Sequence, residues 1–192
     1  MRIDGVQYSS GVKGIDASTS ALETIDYAHH EVHSGSSYAA FTSNSDLDAT
    51  DELIIAFKTP NTTKWFHMVA GFKNTSESLA EILEAPTITN GTGTESACIN
   101  HNRNSIKTSG SLSIEASPTS GEYSVDPTIT ADGTVIMADT IGTGKNKGLS
   151  ESRGVSEYVL KQNTIYAFRI TGVADNGNAA IILNWYEHTN KF

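Results

Sequence analysis

Apolar residues recur at every second position in several stretches of this chain, and that period belongs to half-buried β-strands rather than to helices. Over residues 51–59, Leu53, Ile55 and Phe57 fall on one face and Ile54, Ala56 and Lys58 on the other, before Pro60-Asn61 supplies a turn. Residues 65–73 place Trp65, His67, Val69 and Gly71 on one side and Phe66, Met68, Ala70 and Phe72 on the other. Both of those faces are largely apolar, which predicts a strand in mid-sheet. Residues 76–85 carry Leu79, Ile82 and Leu83 at helical spacing between β-like flanks. They are read as a strand running on towards Thr89, with a single helical turn as the other reading. Asn90-Gly91-Thr92-Gly93 then signals a turn.

Shorter β runs follow at 97–106, 111–116, 134–138 and 157–160. Near the end, residues 165–171 and 179–187 flank Asp175-Asn176-Gly177. An Asn-Gly pair between two alternating runs predicts a tight antiparallel hairpin, because glycine accepts positive φ without steric cost. Tyr166, Phe168 and Ile170 line one face of the first run, and Ile181, Leu183 and Trp185 one face of the second. With Trp65, the aromatics Tyr166, Phe168 and Trp185 are the candidate core. Roughly eight to ten strands separated by turn clusters describe an all-β fold. An antiparallel, jelly-roll-like sandwich of two sheets suits that number better than a small barrel.

Residues 1–28 show no sustained period and read as an extended N-terminal arm, leaving 29–192 as the β-sandwich domain. The polar stretch from His29 to Ser37 is expected to lead into a first strand at Tyr38-Ala-Ala-Phe41.

Composition agrees with a β-rich chain. Ser and Thr together number 44 of 192 residues and Asn adds 13, while charged residues make up only 18%. Polarity carried by hydroxyls and amides disfavours a helical bundle built on Glu, Lys, Ala and Leu. The formal net charge is −9 and the pI near 5.0. A nucleic-acid groove, which needs a basic surface, is therefore not expected. Residues 129–192 nevertheless carry six acids and six bases. Lys145, Lys147 and Arg153 there form the one basic cluster that could meet an acidic partner. No apolar run approaches the 18 or so residues of a membrane span. Met1-Arg2-Ile3-Asp4-Gly5 has no export-signal character, so synthesis in a cytoplasm without classical export is expected.

Candidate chemistry is sparse. Cys98 is the single cysteine, which excludes an intrachain disulfide framework and reads as an inert thiol. His29-His30-Glu31-Val32-His33 resembles a zinc-protease motif but lacks one residue between Glu31 and His33. A single imidazole pair would need distant ligands such as His67, His101 or His188, so no metal, cofactor or catalytic residue is assigned. Asn44, Asp46, Asp48, Asp51 and Glu52 approach the spacing of a calcium loop but lack its turn glycine and distal Glu. Gly142-Thr-Gly-Lys145 is an incomplete phosphate loop, since Asp139 stands where the first glycine belongs.

Several strings together resemble tailed-bacteriophage head decoration proteins, also called capsid cement or auxiliary capsid proteins. These are His29-His-Glu-Val-His-Ser-Gly-Ser-Ser-Tyr38, Thr59-Pro-Asn-Thr-Thr-Lys-Trp65-Phe-His-Met68, Asn102-Arg-Asn-Ser105, Glu151-Ser-Arg-Gly154 with residues 158–166, and Asn184-Trp-Tyr-Glu-His188. The resemblance covers about residues 27 to 190. It implies a non-enzymatic virion protein on the outer capsid surface, bound to the major capsid protein, with a homotrimer favoured and neither nucleic acid nor membrane as partner. His29, His30, His33, Lys145, Lys147 and Arg153 are the candidate capsid or protomer contacts. The other reading is a carbohydrate- or receptor-binding β-sandwich of a phage fibre or tail, using Trp65 and Trp185 as a platform.

Overall fold

The computed structural model describes residues 27–142, 148–150 and 157–189. One helix, α1 (Tyr27–Ser34), precedes fourteen strands. These are β1 (Ser37–Leu47), β2 (Glu52–Lys58), β3 (Lys64–Lys73), β4 (Ser78–Glu84), β5 (Thr87–Ile88), β6 (Thr94–Ala97) and β7 (Ile99–Asn100). After them come β8 (Glu122–Val125), β9 (Ile129–Ala131), β10 (Thr134–Ile141), β11 (Gly148–Ser150), β12 (Tyr158–Leu160), β13 (Ile165–Gly172) and β14 (Gly177–Thr189).

The long strands form an antiparallel sandwich. One sheet runs β11-β3-β14-β1-β7, with β12 also paired to β3, and the other runs β10-β4-β13-β2-β8-β6. From β1 to β4 the chain changes sheet at every step, and it does so again from β12 to β14.

That alternation overturns the expected hairpin at 175–177. β13 pairs with β2 and β4, whereas β14 pairs with β1 and β3. The Asn-Gly turn forms, with Asn176 at φ 61°, but it arches between the sheets. Its backbone groups bond to the neighbouring arch instead of to each other. Val173 N donates to Glu77 O at 2.9 Å and Thr75 N donates to Asn178 O at 3.2 Å. The apolar faces of β13 and β14 thus meet across the core, an arrangement with the same period-2 pattern as a hairpin.

The core lies between the sheets and is aromatic at its centre. Trp185 stacks on Phe57 at 5.9 Å and on Phe66 at 6.0 Å, and Phe57 stacks on Phe168 at 5.9 Å. Tyr166, Phe168 and Trp185 are all buried. Trp65 is not part of this core. Its neighbour Phe66 takes the inner position, so Trp65 is half-buried on the outer face. A second, smaller core of Ile54, Ala56, Leu83, Ile88, Ile114 and Ala167 covers the outer side of the β2 sheet. It explains why β2 is buried on both faces.

The β1–β2 turn is pressed against the end of β13. Thr50 N donates to Gly172 O and Gly172 N to Asp51 O, both at 2.9 Å. A Cβ on Gly172 would stand 2.2 Å from Asp48 O, so only glycine fits. Of the acidic segment whose spacing only approaches that of a calcium loop, Asn44 to Leu47 continue β1, and Asp48 Oδ1 accepts from Asn176 N at 3.1 Å.

Other departures are local. The stretch 29–34 is helical, and Tyr27 and Ala28, expected to end the extended arm, belong to its first turn, while residues 1–26 of the expected arm lie outside the described residues. Gly35 ends α1 at φ 74°. Ser36 N bonds Glu31 O at 2.9 Å and Gly35 N bonds Val32 O at 3.1 Å, the paired bonds of a glycine C-cap. Of the run 97–106 only Ile99–Asn100 pairs as a strand beyond Ala97, and 111–116 contributes only isolated bridges from Leu112 to Lys58 and Ser120. Within residues 76–85, Ser78–Glu84 form β4, and Ala85 at φ 54° breaks the strand expected to run on towards Thr89 before β5.

Candidate functional site

The outer face of the β3-β14-β1 sheet gathers most of the side chains singled out above. Strand alternation sets it up: Tyr38, Ala40, Phe66, Met68, Leu183 and Trp185 point into the core, so their neighbours point out. Register then defines three rows. Tyr186 lies between Ser37 and His67, Asn184 between Ala39 and Val69, and Ile182 between Phe41 and Gly71. Ile99 of β7 extends the middle row beside Ala39.

The last row is apolar and open. Phe41 is 58% and Ile182 37% exposed, and Ile99, at the end of the neighbouring middle row, is 37% exposed. The first row is polar and supports α1. A recess of about 400 Å³ lies where the helix meets the sheet, lined by Ala28, His29 and Val32 from the helix side and Ser37, Val69, His101 and Asn184 from below. His101 Nδ1 lies 2.8 Å from Ser37 Oγ. Ser37 is only 2% exposed and its hydroxyl also points to Trp185 O at 3.4 Å, so it is held in the wall instead of being presented as a nucleophile.

All six histidines are carried by this side of the molecule: three on α1, His67 on β3, His188 on β14, and His101 just after β7. Four of them meet in two couples. His29 and His33, one helical turn apart, bring their Nε2 atoms to 3.0 Å. His67 and His188, on adjacent strands, bring theirs to 2.7 Å. Among the described residues, no group of three or more His, Cys, Asp or Glu side chains is placed to hold a metal ion.

His29, His30 and His33 are exposed on α1. Lys145, Lys147 and Arg153 lie outside the described residues. Missed by the sequence reading was the pairing of His67 with His188, whose rings are 4.5 Å apart across 121 positions of sequence. Gly35 after an uninterrupted eight-residue segment was the signal that could have revealed α1.

Behind the first row, Glu187 is buried with 2% exposure. It accepts from Ser109 Oγ at 2.6 Å, from Gly110 N at 3.0 Å and from Trp185 Nε1 at 3.1 Å. Burial still pushes its carboxyl above the ordinary range, and these donors only partly oppose that. The group closes the core under the His67 end of the sheet, a structural duty.

No family model, curated protein or solved structure matches this chain. Its functional reading therefore rests on its own residues.

Proposed function

We propose that this chain is a structural virion protein, a jelly-roll decoration protein that binds the assembled major capsid lattice from the outside and reinforces it without catalysis. The observation that carries the reading is the open apolar row Phe41–Ile182 with Ile99 beside it. Large apolar side chains clustered on an exposed sheet face mark a contact surface, since monomers seldom leave such a patch to water. The strings that resemble head decoration proteins gather on the same side. Residues 29–38 make α1 and enter β1, 65–68 open β3, and 184–188 lie near the end of β14. Asn102, from a further string, reaches α1 through its Nδ2 bond to His33 O at 3.0 Å.

The strand order supports a jelly roll. Its two four-strand sets, β12-β3-β14-β1 and β10-β4-β13-β2, are built from a chain that crosses between sheets at most steps. The rival glycan-binding reading needs two exposed, co-planar tryptophans, and Trp185 is fully buried.

Sedimentation tests the proposal. Purified protein should pellet as trimers with expanded phage heads that lack it, and should raise their resistance to heat. Retention in the supernatant overturns the reading.

A further inference from the structure

We propose that Ile106 of one copy of this chain docks in the recess between α1 and the β3-β14-β1 sheet of a second copy, joining the two head to tail. The contact is separate from the apolar row Phe41–Ile182 assigned to the capsid. Ile106 is 98% exposed. A lone apolar side chain at the surface needs no explanation by itself, but this one stands on a loop that is fixed on either side of it. Asn100 Nδ2 donates to Gly35 O and to Lys107 O, both at 3.0 Å, and Asn102 Nδ2 donates to His33 O at 3.0 Å. Lys107 Nζ donates to Ser34 O at 2.7 Å, and Lys107 N donates to Ser105 Oγ at 3.1 Å. The loop thereby satisfies the last carbonyls of α1, and a Cβ on Gly35 would collide with Ser105 Oγ. An isoleucine on such a support loses little freedom on docking, because its backbone is already ordered and its branched side chain is stiff.

The recess is complementary to that tip. Its volume of about 400 Å³ has room for the isoleucine and the backbone beside it. Val32 on the helix side and Val69 on the sheet side supply apolar walls, and Asn184 stands beside Val69 on the floor. Among the described residues, the Asn184 carboxamide has no hydrogen-bond partner, and neither have the backbone N–H and C=O of Ile106. A carboxamide carries both a donor and an acceptor, so Asn184 of one copy can meet both backbone groups of Ile106 of the other.

A second copy is the occupant because each chain carries both halves of the contact at different places. The loop bonds to the C-terminal end of α1, whereas Ala28, His29 and Val32 line the recess from the N-terminal part of the helix. Ile106, being exposed, does not fill its own recess. Two unlike surfaces meeting in this way give a heterologous contact, which closes into a ring where the rotation permits. Three copies, the number proposed above, make one such ring.

The test is sedimentation velocity of the full-length chain over a range of concentrations. Wild type should associate beyond the monomer. Ile106→Asp, and Asn184→Trp, which fills the recess, should each raise the dissociation constant at least about tenfold. Val173→Asp, at an exposed valine elsewhere, should leave it unchanged. Mixed together, Ile106→Asp and Asn184→Trp should form one-to-one complexes, since the first keeps an open recess and the second keeps Ile106. Circular dichroism establishes that each variant is folded, and Val32→Trp fills the recess from the helix side if Asn184→Trp is not. A wild type that stays monomeric at every concentration, equal weakening by Val173→Asp, or folded variants that remain apart on mixing overturns the proposal. Binding to expanded heads is measured separately, so the capsid contact is judged on its own.

Discussion

Trp185 Nε1 donates to Oε1 of Glu187, two residues further along the same face of β14, at 3.1 Å. The contact joins the largest buried side chain to a buried carboxylate, and it marks where the apolar core gives way to a polar one. Indole N–H is a donor that must find a partner when buried, and Glu187 supplies it from within the strand.

Glu187 gives the fold a pH signature. Its folded pKa lies above the ordinary value because of burial. The stability this contributes is fully present below the unfolded pKa and is lost as pH rises through the folded one. Unfolding free energy of wild type minus that of Glu187→Gln should therefore fall as pH rises above the ordinary carboxylate range of about 4. The variant should also be about 1–3 kcal/mol less stable at low pH, because an amide nitrogen now faces donors that need an acceptor. Urea melts at several pH values measure both, and a flat difference would refute the assignment.

Arg169 anchors the other sheet. It donates to Glu81 Oε2 at 2.7 Å, with Asp132 and Glu52 as exposed outer partners, and its own side chain is 11% exposed. Arg169→Met should cost about 3 kcal/mol, because Glu81 would be left nearly buried without its counter-charge. Adding Glu81→Leu should recover most of that loss, and a double variant no better than the single one would show that packing, not charge, dominates.

Cys98 should be chemically quiet. Burial pushes its thiol up to about 12, and Ser111 Oγ sits 3.1 Å from the sulfur. Iodoacetamide at mild alkaline pH should modify the folded protein at least about a hundredfold more slowly than the unfolded chain, following the thiolate fraction. Equal rates would mean that the strand end carrying Cys98 opens freely.

The apolar row can be separated from stability. Phe41→Ser and Ile182→Thr remove exposed surface and should shift unfolding free energy by no more than about 0.5–1 kcal/mol. Their association with expanded heads in the sedimentation assay should drop at least tenfold. Wild-type binding by both variants would place the capsid contact on another face.

Much of the sandwich could be read in the chain before any coordinates. Which residues of β2, β3 and β14 turn inward follows from period-2 alternation, because successive side chains of a strand point to opposite faces whatever lies beside them. Trp65 broke the pattern because a half-buried outer aromatic and a core aromatic share the same alternation. The helix α1 was hidden for another reason: its histidine-rich segment has no apolar stripe, and the C-cap at Gly35 was the one local sign of it.

The sequence by itself determined the longer strands and which of their residues share a face, since both depend on neighbours one and two positions away. Only the tertiary structure decided that β13 and β14 face each other across the core instead of pairing, because a hairpin and an arch bury the same faces and differ only in where backbone groups find partners. It alone also brought His67 to His188. Their meeting depends on the register of β3 against β14, set by long-range packing that no local pattern encodes.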